Sequence, residues 1–129
     1  MKQQSGFTLI ELIAVIVILG ILAATAIPKF VDLSDAAEDA SLKGVAGALA
    51  SASTLNHANN IAKDSGLTIT SDLVTVAKCD DVKNALDGGL PSTDYTITPT
   101  TAISEGATGA CVLTFKGKTA NFTAYGVTP

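Results

Sequence analysis

Hydrophobic residues are concentrated at the amino-terminal end of this chain. The residues from Leu12 to Ile27 carry no charge, and the apolar run extends back to Phe7. As a helix, this run from Phe7 to Ile27 would be about 31 Å long, which is enough to cross the hydrocarbon core of a membrane. No second apolar run follows in the sequence, so the pattern excludes a membrane protein with several spans.

Beyond Pro28, apolar residues recur at intervals of three and four, which predicts that a helix continues. Asn59–Asn60 and Ser65–Gly66 are stop signals, so we expect one helix from about Phe7 to Asp64. It would be about 87 Å long and bent at the proline. A domain this small cannot bury such a helix, so its first half must lie in a bilayer or in a bundle of copies. The apolar stripe beyond the proline comprises Phe30, Leu33, Ala37, Ala40, Val45, Leu49, Ala52 and Leu55.

The carboxy-terminal half contains signals for a short helix and for strands. Asp80–Leu86 is typical of a short helix that ends before two glycines. Lys116–Thr119 is typical of a hairpin connection. We therefore predict an α+β fold, in which the second half of a long bent helix packs on an antiparallel sheet of three or four strands. The Thr- and aromatic-rich stretches that indicate strands are Tyr95–Thr98, Ala110–Phe115 and Ala120–Tyr125.

Composition and charge change this picture in two respects. The chain has 129 residues, of which 47% are hydrophobic but only 5% aromatic, so a small head domain would have little aromatic core. Its net charge of −4 comes from scattered lysines and more numerous acids. A surface that binds duplex nucleic acid needs clustered basic residues, so specific nucleic-acid binding is not expected.

The two cysteines, Cys79 and Cys111, are too few for a structural zinc site and lack the CxxC redox spacing. Beyond a membrane-sized apolar run, the default for such a pair is one disulfide in an oxidising compartment. In the chain-entropy description, closing this loop of about 33 residues stabilises the fold by roughly 3–4 kcal/mol.

Glu11 is a charged residue inside the apolar run, and two ordinary interpretations of the run do not explain it. A secretory signal peptide would use Lys2, the core Leu12–Leu22 and the small residues Ala23–Ala26. A transmembrane anchor would use the whole run. In either case a carboxylate at mid-bilayer costs on the order of 2–3 kcal/mol, and a partner for it is expected elsewhere.

The residues Gly6-Phe7-Thr8-Leu9-Ile10-Glu11, followed by an unbroken apolar helix and Pro28, resemble the amino-terminal signal of type IV pilins. The resemblance implies that a prepilin peptidase cuts between Gly6 and Phe7, that Phe7 is then N-methylated, and that Glu11 serves assembly. Pro28 matches the helix-kinking proline of that family. The stretch Pro28-Lys29-Phe30, with Leu33 and Asp35–Ala37, further resembles the mannose-sensitive haemagglutinin subgroup.

The same resemblance implies an organisation of the chain and a set of partners. Residues 1–6 would be the leader, 7–28 the transmembrane and assembly half of the helix, and 29–129 the periplasmic or extracellular head. The precursor would be held in the inner membrane and processed by the prepilin peptidase and methyltransferase. The pilus assembly machinery would then build a homopolymer at the cell surface. The amine freed at Phe7 would neutralise Glu11 of a neighbouring subunit and so set its register.

Other candidate sites have weaker support. Gly117-Lys118-Thr119 is similar to the end of a phosphate loop, but the required earlier glycine is replaced by Val112, so a turn is preferred. His57 has no acid or cysteine one helical turn away. Asp80 and Asp81 indicate a helix cap more than a calcium site. Asn121-Phe122-Thr123 matches a glycosylation sequon but is expected to be unmodified.

The sequence therefore predicts a structural subunit of a type IV pilus, serving adhesion and in some settings motility. It predicts no enzyme, no cofactor and no metal. A pseudopilin of a type II secretion system or a minor pilin is the alternative within this structural class. The alternative from another class is a single-span anchored enzyme or receptor. The pattern of polar and apolar positions alone does not distinguish the pilin from these alternatives, because each of them requires one amino-terminal apolar helix.

Overall fold

A computed structural model describes residues 5–129. Its first element is a helix, α1, at Leu9–Asp64, which is 56 residues long and contains Pro28 in its interior. The chain forms two compact units, one comprising the residues up to Glu38 and the other Asp39–Pro129, and α1 contributes to both. The prediction of one helix that runs from the apolar segment to Asp64 is confirmed.

The end of α1 follows from a glycine. Gly66 has a φ of +83°, a conformation that glycine adopts without steric cost. The Gly66 N–H donates to the Lys63 carbonyl at 2.9 Å, and the Leu67 N–H donates to the Ala62 carbonyl at 3.0 Å. These two bonds form a Schellman motif, which satisfies carbonyls that the helix end would otherwise leave free. The stop signal Ser65–Gly66 is therefore confirmed, whereas Asn59 and Asn60 lie inside the helix.

The second unit has its own core, built from α1 and the carboxy-terminal half. Leu42, Ala46 and Leu49 face this core, and Ser53, Asn56 and Asn60 continue the same buried stripe towards the helix end. The predicted stripe was wrong at Phe30, Leu33 and Leu55, which are 71%, 67% and 64% exposed. It was also wrong at Ala37 and Ala40, which are exposed. Apolar periodicity located the helix correctly but not its buried face, because half of that face is polar.

Three strands form one antiparallel sheet in the order β1–β2–β3. They are β1 at Thr96–Thr98, β2 at Thr108–Phe115 and β3 at Lys118–Tyr125. Lys116 and Gly117 have φ values of 49° and 78° and form a two-residue turn between β2 and β3. Positive φ at both turn residues matches the twist of the strands. The α+β prediction is confirmed, although Lys118 and Thr119 belong to β3 rather than to the turn.

The short helix that precedes the sheet is a 3₁₀ helix at Cys79–Ala85. A disulfide joins Cys79 at its start to Cys111 in the middle of β2, with the two Cα atoms 5.6 Å apart. Both cysteines are buried with Val82, Leu113 and Phe122 in the core cluster. The bond expected from the sequence is thus present, and it connects the 3₁₀ helix to the central strand.

Candidate assembly site

The first turn of α1 is closed by a reciprocal pair of side chains. Thr8 precedes the helix, and its N–H and its Oγ1 both donate to Oε2 of Glu11, at 2.8 and 2.9 Å. In return the Glu11 N–H donates to Thr8 Oγ1 at 3.4 Å. This is a capping box, which satisfies backbone donors that have no partner within the helix. Glu11 is therefore part of the helix start rather than an isolated charge.

The second carboxylate oxygen of Glu11 remains available. Both bonds from Thr8 go to Oε2, and Oε1 accepts no hydrogen bond from the residues that the structure describes. A carboxylate offers about four lone pairs in two oxygens, so it can hold the cap and still accept from another donor. The Thr8–Glu11 pair leaves an acceptor on an otherwise apolar surface.

The helix around Glu11 is apolar on all sides and has no cover within its own unit. Every large apolar side chain from Leu9 to Val31 is at least half exposed, and Phe7 is 93% exposed. The most apolar part of α1 contains no buried residue. In length and composition, this helix is able to cross a membrane. Exposing such a surface to water would cost a free energy of about 25 cal/mol per Å² of apolar area, which is strongly unfavourable for a helix of this length.

Charged residues return immediately after the apolar segment. Lys29, Asp32 and Asp35 follow it, and the second unit begins with an ion pair in which Lys43 Nζ lies 2.9 Å from Asp39 Oδ2. The hydrogen bond from Lys43 lowers the pKa of the Asp39 carboxyl below its usual value, and the nearby positive charge adds to the effect. This change in composition marks the end of the apolar segment.

Known proteins share this amino-terminal region. Residues 1–27 match a family described as the prokaryotic N-terminal methylation motif. The chain carries this motif. No solved structure is significantly similar to the chain.

Three similar proteins illustrate the relationship. The type IV narrow pilus major component PilA5 of Thermus thermophilus is 60% identical over 50 residues, which cover 39% of this chain and 43% of that protein. The type II secretion system core protein G of Pseudomonas aeruginosa is 46% identical over 61 residues, covering 47% and 43% respectively. A fimbrial protein of Pseudomonas aeruginosa is 66% identical over 32 residues, covering 25% and 21%. Each match spans less than half the length of the relative, and the names describe components of filaments and secretion systems rather than enzymes.

The structure places the other predicted residues of this site along the same segment. Gly6 and Phe7 are exposed immediately before the helix. Of the predicted leader 1–6, the residues before Ser5 lie outside the described range. Pro28 lies within α1, and the helix continues on both sides of it. The roles of these residues in cleavage, methylation and bending remain predictions.

The weaker candidates from the sequence have structural roles in the second unit. Asp81 Oδ2 accepts from the N–H groups of Ala77 and Lys78, both at 3.0 Å, and so caps the 3₁₀ helix as expected. Asp80 pairs with Lys83 at 2.7 Å. The ring of His57 stacks on Tyr125, with the centroids 4.8 Å apart.

Sequence reasoning missed Thr8 as a functional residue. The signal was present, because Thr followed three residues later by Glu, immediately before an apolar helix, is the capping-box pattern. Considered only as a charge in an apolar run, Glu11 is expected to need a partner in another chain. The structure shows that its first partner is three residues away.

Proposed function

We propose that this protein is a structural subunit of a type IV pilus, which polymerises through the apolar part of α1 into a surface filament. The observation that supports this most directly is the apolar surface from Leu9 to Val31, which none of the described residues of its own unit covers. Two environments can cover such a helix, a membrane before assembly and a bundle of identical helices afterwards. The similarity to a pilus component and to a fimbrial protein supports the second environment.

Glu11 is proposed to set the register between neighbouring subunits. In an apolar bundle an ionised carboxylate needs a cation close to it, since burial of an unpaired charge is costly. Cleavage after Gly6 would place a free amine on Phe7, about 6 Å along the helix from Glu11. The amine of one subunit would reach Oε1 of Glu11 in the next, while Oε2 keeps its bonds to Thr8.

The proposed life cycle has two stages. Residues 1–6 act as a leader that the prepilin peptidase removes before Phe7 is methylated. Residues 7–28 hold the precursor in the inner membrane, from which the assembly machinery extracts it, and 29–129 form the exposed head. The bend at Pro28 is proposed to fit the helix into the bundle.

Within this class, we assign the chain to the adhesive pili rather than to the secretion pseudopili. The stretch from Pro28 to Ala37 supports the mannose-sensitive haemagglutinin subgroup through its pattern of Pro-Lys-Phe followed by Leu33. The similarity to core protein G reflects the amino-terminal architecture that both classes need. The proposed role is mechanical, namely attachment to surfaces, and not catalytic.

Substitution of Glu11 tests the proposal. We expect Glu11→Ala and Glu11→Gln to insert into the membrane and to be processed normally, because neither change reduces the hydrophobicity of the helix. Both should lower the yield of sheared filaments at least about tenfold, since the loss of one well-placed charge pair in a low-dielectric site is worth more than about 1.4 kcal/mol. The measurement compares sheared filament with membrane-held subunit by quantitative immunoblot.

Thr25→Val is the matched control, since it removes another polar side chain from the same segment and leaves the capping box intact. Its filament yield should equal that of the parent chain. A normal yield from Glu11→Ala would contradict the register mechanism. If no filament from cells with the parent chain contains this protein, that result would contradict the pilus function. It would instead favour an anchored protein of another class.

A further inference from the structure

The outer edge of β3 is open over half of its length. The N–H of Gly126 donates to Ala107, whereas the N–H and carbonyl of Val127 pair with Val76. Because successive residues of a strand direct their backbone groups to opposite sides, odd-numbered residues face away from β2. Tyr125 obeys this rule, since its N–H donates to Ser53 Oγ on α1 at 2.8 Å.

Three more residues of β3 have the same orientation, namely Thr119, Asn121 and Thr123. None of the hydrogen bonds among the described residues reaches their outward N–H and carbonyl groups. Their side chains are exposed, and no charge or proline lies at these three positions. Natural sheet edges are usually protected by such residues or by a covering element, because an open edge pairs readily with another strand.

A groove runs along this open edge. It has a volume of about 340 Å³ and lies between β3 and α1, with Ala46, Gly47 and Ala50 on the helix side. A Cβ added at Gly47 would meet no atom within 4 Å, so the helix leaves space there. Small residues of α1 thus leave space beside the unpaired edge of β3, and the polar side chains Lys43, Thr119 and Asn121 complete the lining.

The chain also contains a segment with the complementary property. Thr68, Ile69 and Thr70 have no helical or strand structure, and no hydrogen bond joins their backbones to any described residue. The segment alternates Leu67-Thr68-Ile69-Thr70, a pattern with high strand propensity, and Leu67 is 65% exposed. If this segment paired with the edge of a sheet, its two threonine side chains would lie on one face and its two apolar side chains on the other.

The segment cannot reach the groove of its own copy. The Leu67 N–H donates to the Ala62 carbonyl, which fixes the start of the segment beside the end of α1. Two hydrogen bonds between Val74 and Asn56 fix the chain after the segment. The groove lies at the level of Ala46, sixteen residues earlier on the same helix and thus about 24 Å away. Only a second copy can bring the two together.

We propose that residues 67–70 of one copy add as a fourth strand to the outer edge of β3 in a neighbouring copy. The threonines would lie beside Asn121, and Leu67 would enter the groove against Ala46 and Gly47. The two copies of α1 would then be offset lengthwise by about 24 Å. This contact rests on the proposed filament, which supplies neighbours at high local concentration, and it joins heads rather than apolar helices.

Cysteine cross-linking of the full-length chain in cells tests the contact. One double variant carries Asn121→Cys with Thr68→Cys and a second carries Asn121→Cys with Thr70→Cys. The control carries Asn121→Cys with Thr54→Cys, which is exposed on another face of α1. After mild oxidation, sheared filaments and membranes are analysed on non-reducing gels. Because each copy carries both cysteines, we expect disulfide-linked dimers and higher multimers in one of the first two variants and none in the control.

Absence of a dimer from both test variants, or an equal dimer in the control, would overturn the proposal. If no filament is found at all, the proposed pilus function is contradicted. Cross-linking in the membrane fraction still shows whether residues 67–70 pair with the outer edge of β3. Adding Thr123→Pro to the positive variant removes only an outward N–H and leaves the bonds to β2 intact. It should lower the dimer at least about fivefold, with the Cys79–Cys111 bond retained as evidence of folding.

Discussion

Thr8 gives Glu11 a structural role at the start of α1, in addition to the proposed role of Glu11 in assembly. The Thr8 hydroxyl accepts from the Glu11 N–H and donates to Glu11 Oε2, and so holds the carboxylate in one place. A fixed carboxylate loses less conformational entropy when a neighbouring amine binds it. Two polar side chains thus act as one unit on an apolar helix.

This coupling predicts different effects of two substitutions at Thr8. Thr8→Val keeps the shape but loses the hydroxyl, and should weaken the first turn by about 1 kcal/mol, in the range measured for helix caps. Thr8→Ser keeps the hydroxyl and should change little. Amide hydrogen exchange of residues 8–11 in detergent micelles measures the difference, which should be roughly fivefold in protection. Equal exchange rates for the two variants would show that the capping box does not hold in an apolar environment.

Gly126 is a second residue whose identity follows from a close contact. A Cβ at this position would collide with the carbonyl of Ser104, which is backbone and cannot move aside cheaply. Gly126→Ala should therefore destabilise the head by about 1–3 kcal/mol, as other overpacking substitutions do. Gly44→Ala is the control, because its Cβ meets nothing and alanine favours the helix by up to about 1 kcal/mol.

Thermal unfolding of the two variants should shift in opposite directions. A destabilising effect at Gly44 comparable to that at Gly126 would indicate that small residues are needed there for contacts within the head. The pair of variants thus separates a local steric requirement from a general intolerance of change.

At the scale of elements, the buried face of α1 in the second unit is half apolar and half polar. Leu42, Ala46 and Leu49 pack on the sheet, whereas Asn56 bonds twice to the backbone of Val74. The side-chain amide of Asn60 donates from Nδ2 to Oε1 of Glu105 at 3.4 Å. Asn56 thus supplies two hydrogen bonds to the irregular connection 65–78, whose backbone groups have few partners of their own.

The disulfide holds together two elements that share few other contacts. It links the 3₁₀ helix to β2 across a head with a small core. Replacing both cysteines by serine should lower the free energy of unfolding by about 2–5 kcal/mol, the range found for native disulfides in small domains. Chemical denaturation of the parent and the variant measures this change. A difference below about 1 kcal/mol would mean that the core alone specifies the head.

At the scale of the whole molecule, the two units differ in whether their apolar side chains are buried. The second unit buries a core of its own, whereas the apolar residues of the first remain exposed within it. A chain built like this is incomplete until a membrane or other copies cover the first unit. The proposed alternation between membrane and filament follows from that one property.

Leader processing gives a prediction at this scale. The intact mass of filament-form protein should correspond to a chain that begins at Phe7 and carries one additional methyl group. A small residue at Gly6 leaves space for the peptidase, and the helix begins only at Leu9. A mature chain that begins near Ala24 or Thr25 would instead indicate an ordinary signal peptidase, and the pilin interpretation would have to be abandoned.

Local chemistry alone determined much of this protein. An uninterrupted apolar run, a glycine after Ser65 and Thr-rich stretches are local signals, so the length of α1, its end and the approximate positions of the three strands were predictable. The Thr8–Glu11 cap follows from a local signal of the same kind, because its two residues are only three positions apart. The cysteine pair was predictable for a different reason, since two cysteines in an oxidising compartment permit one pairing within a chain.

Only the tertiary structure decided which face of α1 is buried and which strand edge is open. The buried stripe includes Ser53, Asn56 and Asn60, whose partners lie 18 to 72 residues away in the chain. No periodicity of hydrophobic residues can reveal partners at that distance, because polar side chains are buried only where another segment supplies their hydrogen bonds. The open edge at Thr119–Thr123 depends in the same way on the side of β3 that β2 occupies, which strand composition alone does not specify.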